Sequence, residues 1–286
     1  MKTKPIIHFT ANYLLAPTNQ LTVNLIGCGG TGSRVLTALA EISHSLIELG
    51  HPGLHVNLYD DKVVTTANLG RQRFARSELG LKKCVARINN INGFFGTNWK
   101  ACPYQYNKEN LSGFKNKGTA NIFISCVDTV QARFDIAEIL KKFEMTNFNE
   151  RYRPYYWMDY GNSKDTGQLL LSTIGEIVQP KSKKYQTVGL LPFITDEFKT
   201  LLVQSEAEDN TPSCSLREAL QKQDLFINPT LAQFGGEILW QLIRNKWIAN
   251  RGIFLNLHDL KVNPIKINTP LSAPVIRTLI RKKTAA

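Results

Sequence analysis

Between Leu21 and Gly32 the chain reads LTVNLIGCGGTG, and this stretch leaves few folds open. Thr22, Val23, Leu25 and Ile26 suit a buried strand. Gly27, Gly29, Gly30 and Gly32 follow at once, and the pattern predicts a helix that starts within residues 31–34. A glycine turn between strand and helix lets backbone N–H groups reach a phosphate, and the helix dipole favours the negative charge there. A second strand over residues 54–59 runs into Asp60. A carboxylate at that place can accept hydrogen bonds from ribose hydroxyls. The chain therefore begins as a nucleotide-binding βαβ unit. A GxGxxG pattern alone does not say which nucleotide.

The rest of the chain extends that unit. After the glycines, Val35, Leu36, Leu39, Ile42 and Leu46 recur at helical spacing until Gly50 and Pro52 stop the helix. Ser77 is a candidate cap for a second helix reaching about residue 91, with Lys82 and Lys83 in its early turns. A short strand is expected within residues 99–106. NIFISCV at 121–127 reads as a strong strand ending in Asp128, and a helix follows over 130–143. Two close strands at 155–161 and 167–174 point to antiparallel pairing on the far side of the sheet. Residues 215–221 and 229–248 read as helices, with Pro229 in a first turn, and 252–267 as a closing hairpin. The fold expected is α/β and Rossmann-like: a mostly parallel sheet flanked by helices, with mixed or antiparallel strands toward the C-terminal part. The organisation expected is a lead-in at 1–20, a nucleotide-binding domain at 21–175 and a partly mobile surface crossover at 176–213. Helices and a hairpin at 214–268 complete the same domain, and a basic tail follows at 269–286.

Charge and cysteine use narrow the function classes. The formal net charge is +12, which points to an acidic partner such as a nucleotide or an acidic protein. The basic residues are scattered and not interleaved with aromatics, so nucleic-acid binding is not expected. Five cysteines without a CxxC pair argue against a disulfide framework and against a four-cysteine zinc site. The chain shows no secretory apolar segment and no run of membrane-spanning length, so a cytoplasmic setting with reduced thiols is expected.

The nucleotide is chosen by the residues after Asp60. Asn68-Leu69-x-Arg71-Gln72 lies just past that carboxylate, Gly80-x-x-Lys83 comes next, and Asp128 stands at the end of the 121–127 strand. In an open α/β sheet ligands bind outside the carboxyl ends of the strands, and all these groups converge there. Two cations beside a glycine turn can hold a triphosphate, and Asp128 can hold Mg²⁺ on it. An NAD(P)-dependent oxidoreductase, the alternative, would leave Asn68–Gln72 and Lys83 without a task. Asp61 and Lys82 are the neighbouring rivals of Asp60 and Lys83.

Gly27-x-Gly29-Gly30-x-Gly32, Asp60, Asn68-Leu69-x-Arg71-Gln72, Gly80-x-x-Lys83 and Cys126-x-Asp128 together resemble the adenylation domain of ThiF/MoeB-type, ubiquitin-activating-enzyme-like proteins. Pro212-Ser-Cys-Ser-Leu with Gln223-Asp-Leu-Phe-Ile-Asn is similar to the ThiF-family member of the plasmid-borne PRTRC cassette. The resemblance implies an adenylyltransferase that uses Mg·ATP to activate the C-terminal carboxylate of a ubiquitin-like, β-grasp or sulfur-carrier protein, working as a homodimer. It implies that Gly27, Gly29, Gly30 and Gly32 cradle the nucleotide and Asp60 binds its ribose. Asn68, Arg71 and Lys83 would contact the phosphates, with Gln72 beside them, and Asp128 would hold Mg²⁺. Arg71, Lys83 and Asp128 would carry the chemistry.

The sequence departs from the family in several places. Lys62 stands where the family has an acidic residue, and Thr129 where an asparagine often follows the magnesium aspartate. Arginine is absent before Leu21, so the one the family donates across its dimer from that segment is missing. The loss leaves open a third reading, a non-catalytic ATP-binding scaffold of a plasmid cassette. Cys214, in the polar loop EDNTPSCSL, is the candidate nucleophile for a thioester with the partner.

Overall fold

Leu21–Ile26 alternates and clusters Leu, Val and Ile, and all but Thr22 of it is buried. A strand buried on both faces belongs in the middle of a sheet, and this one, β2, lies there. The structure, a computed structural model, describes residues 4–111, 118–205 and 223–267. In chain order its strands are β1 (Ile6–Phe9), β2, β3 (Leu54–Tyr59), β4 (Lys100–Cys102), β5 (Ile122–Ser125), β6 (Tyr156–Asn162), β7 (Thr166–Thr173), β8 (Gln186–Thr187), β9 (Trp247–Ile248), β10 (Asn250–Asn256) and β11 (Lys261–Lys266). Its helices are α1 (Asn12–Leu15), α2 (Gly32–Glu48), α3 (Lys83–Phe95), α4 (Lys108–Leu111), α5 (Val130–Glu144), α6 (Ile194–Glu197), α7 (Lys199–Ser205) and α8 (Ile227–Trp240).

Eight strands form the main sheet in the order β11-β10-β7-β6-β5-β2-β3-β4. Pairing is parallel from β4 to β6 and antiparallel from β6 to β11. The fold is thus the α/β, Rossmann-like sheet expected from the sequence, with its antiparallel part on the C-terminal side. β2 is flanked by β3 and β5, so the strand order reverses beside it. That reversal opens a crevice at the carboxyl ends of the strands, the usual ligand position in such sheets. Pro264 lies in the edge strand β11, where a missing N–H costs no ladder bond.

Several local elements differ from the sequence reading. Helix α3 begins at Lys83, and Ser77 lies in the 3₁₀ turn Arg76–Glu78 instead of capping it. The reason is the chain between them. Gly80 takes φ +83°, and residues 79–82 lie along the post-β3 loop, where the N–H of Val64 donates to Leu81 O and that of Lys83 to Lys62 O. Helix α8 ends at Trp240 and passes through a π turn, Gln241–Asn245, to Lys246 at φ 68°, so residues 247–248 become strand β9. The lead-in is docked: β1 pairs with β8 and β9, and Ile7, His8 and Leu14 are buried. The stretch read as a surface crossover contributes Ile177, Leu191, Phe193, Ile194, Phe198 and Leu202 to the core. Its apolar residues are spaced too irregularly to register as an element, yet they cover the far side of the sheet. The expected helix at 215–221 and the basic tail at 269–286 fall outside the described residues. Among the described residues no helix is long and apolar enough to cross a membrane.

Candidate nucleotide site

The glycine turn between β2 and α2 is shaped by close approach. Gly27 takes φ +95°, and a Cβ there would meet the carbonyl oxygen of Cys126 at 2.6 Å. A Cβ on Gly32 would strike Gly27 O, and one on Gly30 would press into the side chain of Asn228 at 2.7 Å. Gly29 is different: nothing lies within 4 Å of the Cβ it lacks, so its open side faces the crevice. The N–H groups of Gly29, Gly30 and Thr31 find no acceptor among the described residues. They are the donors an anion at the start of α2 would take.

Asp60 follows β3 and closes one wall. Its Oδ2 accepts the N–H of Cys28 at 2.6 Å, and its Oδ1 accepts the N–H of Lys62 at 2.9 Å. Burial pushes its carboxyl above the ordinary aspartate value, against the pull of those two N–H groups and the charge of Lys83. Each oxygen keeps a further lone pair for a ligand hydroxyl. Asp61, the neighbouring rival, turns to Gln105 at 3.0 Å.

Lys83 opens α3 and is 7% exposed. Burial lowers its pKa, opposed chiefly by Asp60. Its ammonium makes no hydrogen bond among the described residues. The buried stem thus ends in an ammonium without a hydrogen bond among the described residues, an arrangement that can take an anion. Lys82, its rival, reaches outward to the carbonyl of Asp61.

Arg71 is half-buried, and burial lowers its pKa too. One Nη donates to Gln223 Oε1, and its Nε is buried without a partner among the described residues. Gln72 is buried with Oε1 unpaired among them. Asn68 uses Oδ1 to accept the N–H of Thr65 at 2.9 Å and its hydroxyl at 3.2 Å. It shapes the turn that carries Arg71 and keeps its amide nitrogen for another partner. Arg34, Arg73 and Arg87 gather around the first turn of α2. Arg34 donates to Arg71 O at 3.4 Å and Arg87 to Ser33 O at 3.3 Å, while Arg34 Nε and Arg87 Nε are buried and unpaired. Burial lowers the pKa of Arg34 and of Arg87 first, and Arg73 lowers both further.

Asp128 follows β5 and meets Lys62 at 2.6 Å, the two side chains being 73% and 57% exposed. Burial raises its pKa, but the hydrogen bond and charge of Lys62 outweigh it and hold it below the ordinary aspartate value. Thr129 caps α5 by accepting the N–H of Ala132 at 3.3 Å. Asp60, Asn68, Arg71, Gln72, Lys83, Asp128 and the four glycines therefore share one edge of the sheet. Cys214 lies outside the described residues. No group of three or more His, Cys, Asp or Glu side chains that could hold a metal occurs among the described residues.

Two further residues belong to this edge. Asn228, at the start of α8, accepts from Thr31 Oγ1 at 2.8 Å and Asn162 Nδ2 at 3.2 Å, and donates to Gln223 Oε1 at 3.0 Å. Gln223 in turn accepts from Arg71. The two amides tie the glycine turn to Arg71. Both stand in the Gln223-Asp-Leu-Phe-Ile-Asn motif, which by itself says nothing of where it folds.

The sequence model of the ThiF family matches residues 14–261. The chain belongs to the ThiF family. Among solved structures, E. coli MccB is similar with a TM-score of 0.56 and 16% identity, covering 91% of this chain and 65% of that one. Its structure with ATP gives a TM-score of 0.53 at 16% identity, over 91% and 67% of the two chains. PaaA gives 0.54 at 14% identity, over 87% and 64%. At these identities the likeness establishes the fold, and this ThiF-family chain spans about two thirds of the length of the proteins it resembles. No curated protein matches.

Proposed function

We propose that this protein activates a carboxylate by ATP-dependent adenylation, and that the carboxylate is the C-terminus of a small ubiquitin-like carrier protein. The observation that carries the reading is Lys83: a buried side chain whose ammonium makes no hydrogen bond among the described residues, set with Arg71 and the N–H groups of Gly29–Thr31, which find no acceptor there either, around one crevice. Membership of the ThiF family and the fold shared with MccB, of which structures with ATP and with MccA exist, support it. A dinucleotide has no use for so many cations.

In the proposed reaction Asp60 holds the ribose and the glycine turn takes the phosphates at the positive end of α2. A carboxylate oxygen of the partner attacks the α-phosphorus. The bond to the β-phosphate oxygen breaks, and pyrophosphate leaves with its charge spread over Arg71 and Lys83. Catalysis then rests on positioning and charge neutralisation. Magnesium would arrive as part of the substrate Mg·ATP, and Asp128 would be the carboxylate to meet it, one carboxylate and the phosphates being a common arrangement for this ion. The thiolate of Cys214 would attack the acyl carbon of the adenylate, form a thioester and release AMP. A homodimer is part of the same reading.

ATP–pyrophosphate exchange tests it, with β-grasp proteins bearing a free C-terminal carboxylate as substrates. Label should enter ATP only when such a protein is present, and Lys83→Met should slow exchange by about a hundredfold. Cys214→Ala should keep exchange and lose the thiol-sensitive conjugate. A protein that binds ATP yet exchanges with no such partner would contradict the proposal.

A further inference from the structure

Lys62 lies across the mouth of the crevice. It leaves the end of β3, while Asp128 leaves the end of β5, and these strands flank β2 on opposite sides. Two inter-strand spacings amount to roughly 10 Å, a gap that the lysine stem and the Asp128 side chain span together, Nζ lying 2.6 Å from Asp128 Oδ2. An anion in front of the glycine turn would lie against this ammonium. Asp60 already accepts the N–H groups of Cys28 and Lys62, and Asp61 accepts from Gln105. Among the described residues Asp128 accepts no backbone N–H from a neighbouring element, and a lysine is seated on it.

We propose that Lys62 is a phosphate-binding residue of this site, held in place by Asp128, and that its ammonium supplies charge a divalent ion would otherwise bring. The inference rests on the nucleotide reading above and sharpens it: ammonium and magnesium compete for Asp128, and either cation, once there, faces the phosphates. The exposed pair is weakly held, so the ammonium can keep Asp128 on one side and take a phosphate oxygen on another without rebuilding the site. With Lys83 and Arg71 it makes three cations about the triphosphate. Nucleotide binding should therefore depend little on magnesium.

Calorimetric titration with ATP, in excess magnesium and in excess chelator, tests this on the full chain. The wild-type affinities in the two buffers should agree within about threefold, and Lys62→Met should weaken binding by about tenfold in chelator while magnesium restores it. Lys62→Arg should behave as wild type. Tight wild-type binding in magnesium that is lost in chelator would overturn this assignment and leave the nucleotide reading intact. Unchanged chelator affinity in Lys62→Met would overturn it equally. Absence of ATP binding in both buffers would overturn the nucleotide reading and this one with it.

Discussion

Two clusters of buried charge in the molecule are held in opposite ways. Between β5 and β6, Arg133 and Asp159 are 6% and 1% exposed and meet at 3.1 Å. Arg133 also donates to the carbonyls of Val127 and Tyr160 at 3.0 Å, and Asp159 accepts from Ser125 at 2.5 Å. Arg251 is buried beside Glu197 and donates to Pro192 O at 2.9 Å. Around the glycine turn, by contrast, the Lys83 ammonium makes no hydrogen bond among the described residues, and Arg34, Arg71 and Arg87 each leave a buried Nε unpaired there. A buried charge with every donor used serves the fold. A buried charge with donors to spare, beside the glycine turn, is available to a ligand.

The largest test of this contrast is stability. Asp159→Ala leaves Arg133 buried without its carboxylate and should lower the unfolding free energy by about 3–5 kcal/mol. Lys83→Met replaces an ammonium whose hydrogen bonds are unmade, and should change stability by less than about 1 kcal/mol. Denaturant melts of the two variants compare them directly; equal losses would end the distinction between the two clusters. Gly27→Ala comes next. It forces a side chain into φ +95° and onto the Cys126 carbonyl, and a loss of at least about 2 kcal/mol is expected. Asn228→Ala unties Thr31, Asn162 and Gln223 at once. A loss of about 1–2 kcal/mol should come with weaker ATP binding, because Gln223 then no longer fixes Arg71.

The smallest effect is a pH dependence at the N-terminal strand. His8 sits between Val188 O at 2.6 Å and the Tyr156 hydroxyl at 2.9 Å, and that hydroxyl accepts the N–H of Ala11 at 3.0 Å. This arrangement suits a neutral ring that donates from Nδ1 and accepts at Nε2. Burial lowers its pKa from 6.5, more than its bond to Val188 raises it. The unfolded chain therefore takes up the proton first. Stability from this group is complete above 6.5 and declines as pH falls toward the folded value. Thermal midpoints should drop on acidification from about pH 7.5 to about pH 5.5, and His8→Phe should flatten that drop. An unchanged slope in the variant would assign the acid sensitivity elsewhere.

The parallel half of the fold was legible because its signals are local. LTVNLIGCGGTG specifies strand, turn and helix within twelve residues, and the carboxylates and cations follow at the ends of successive strands. The parts that were not legible depend on long-range contact. Asn228 meets Thr31 across 197 positions and Gln223 meets Arg71 across 152, so nothing near either residue shows its partner. Lys62 reads as a departure from the family pattern, and only the β3-β2-β5 order shows that it spans the crevice. The buried residues of 176–205 lack both helical and strand periodicity, since they fill gaps against the sheet instead of forming a face of their own.

The central claim is that the unpaired charge around Gly27–Gly32 waits for a triphosphate. Titration of ATP and NAD, in parallel, into the wild type and Lys83→Met tests it most directly. The account predicts saturable ATP binding that weakens by about tenfold in the variant, equivalent to about 1.4 kcal/mol, with NAD binding far more weakly. NAD binding without ATP binding, or ATP binding indifferent to Lys83, would contradict it.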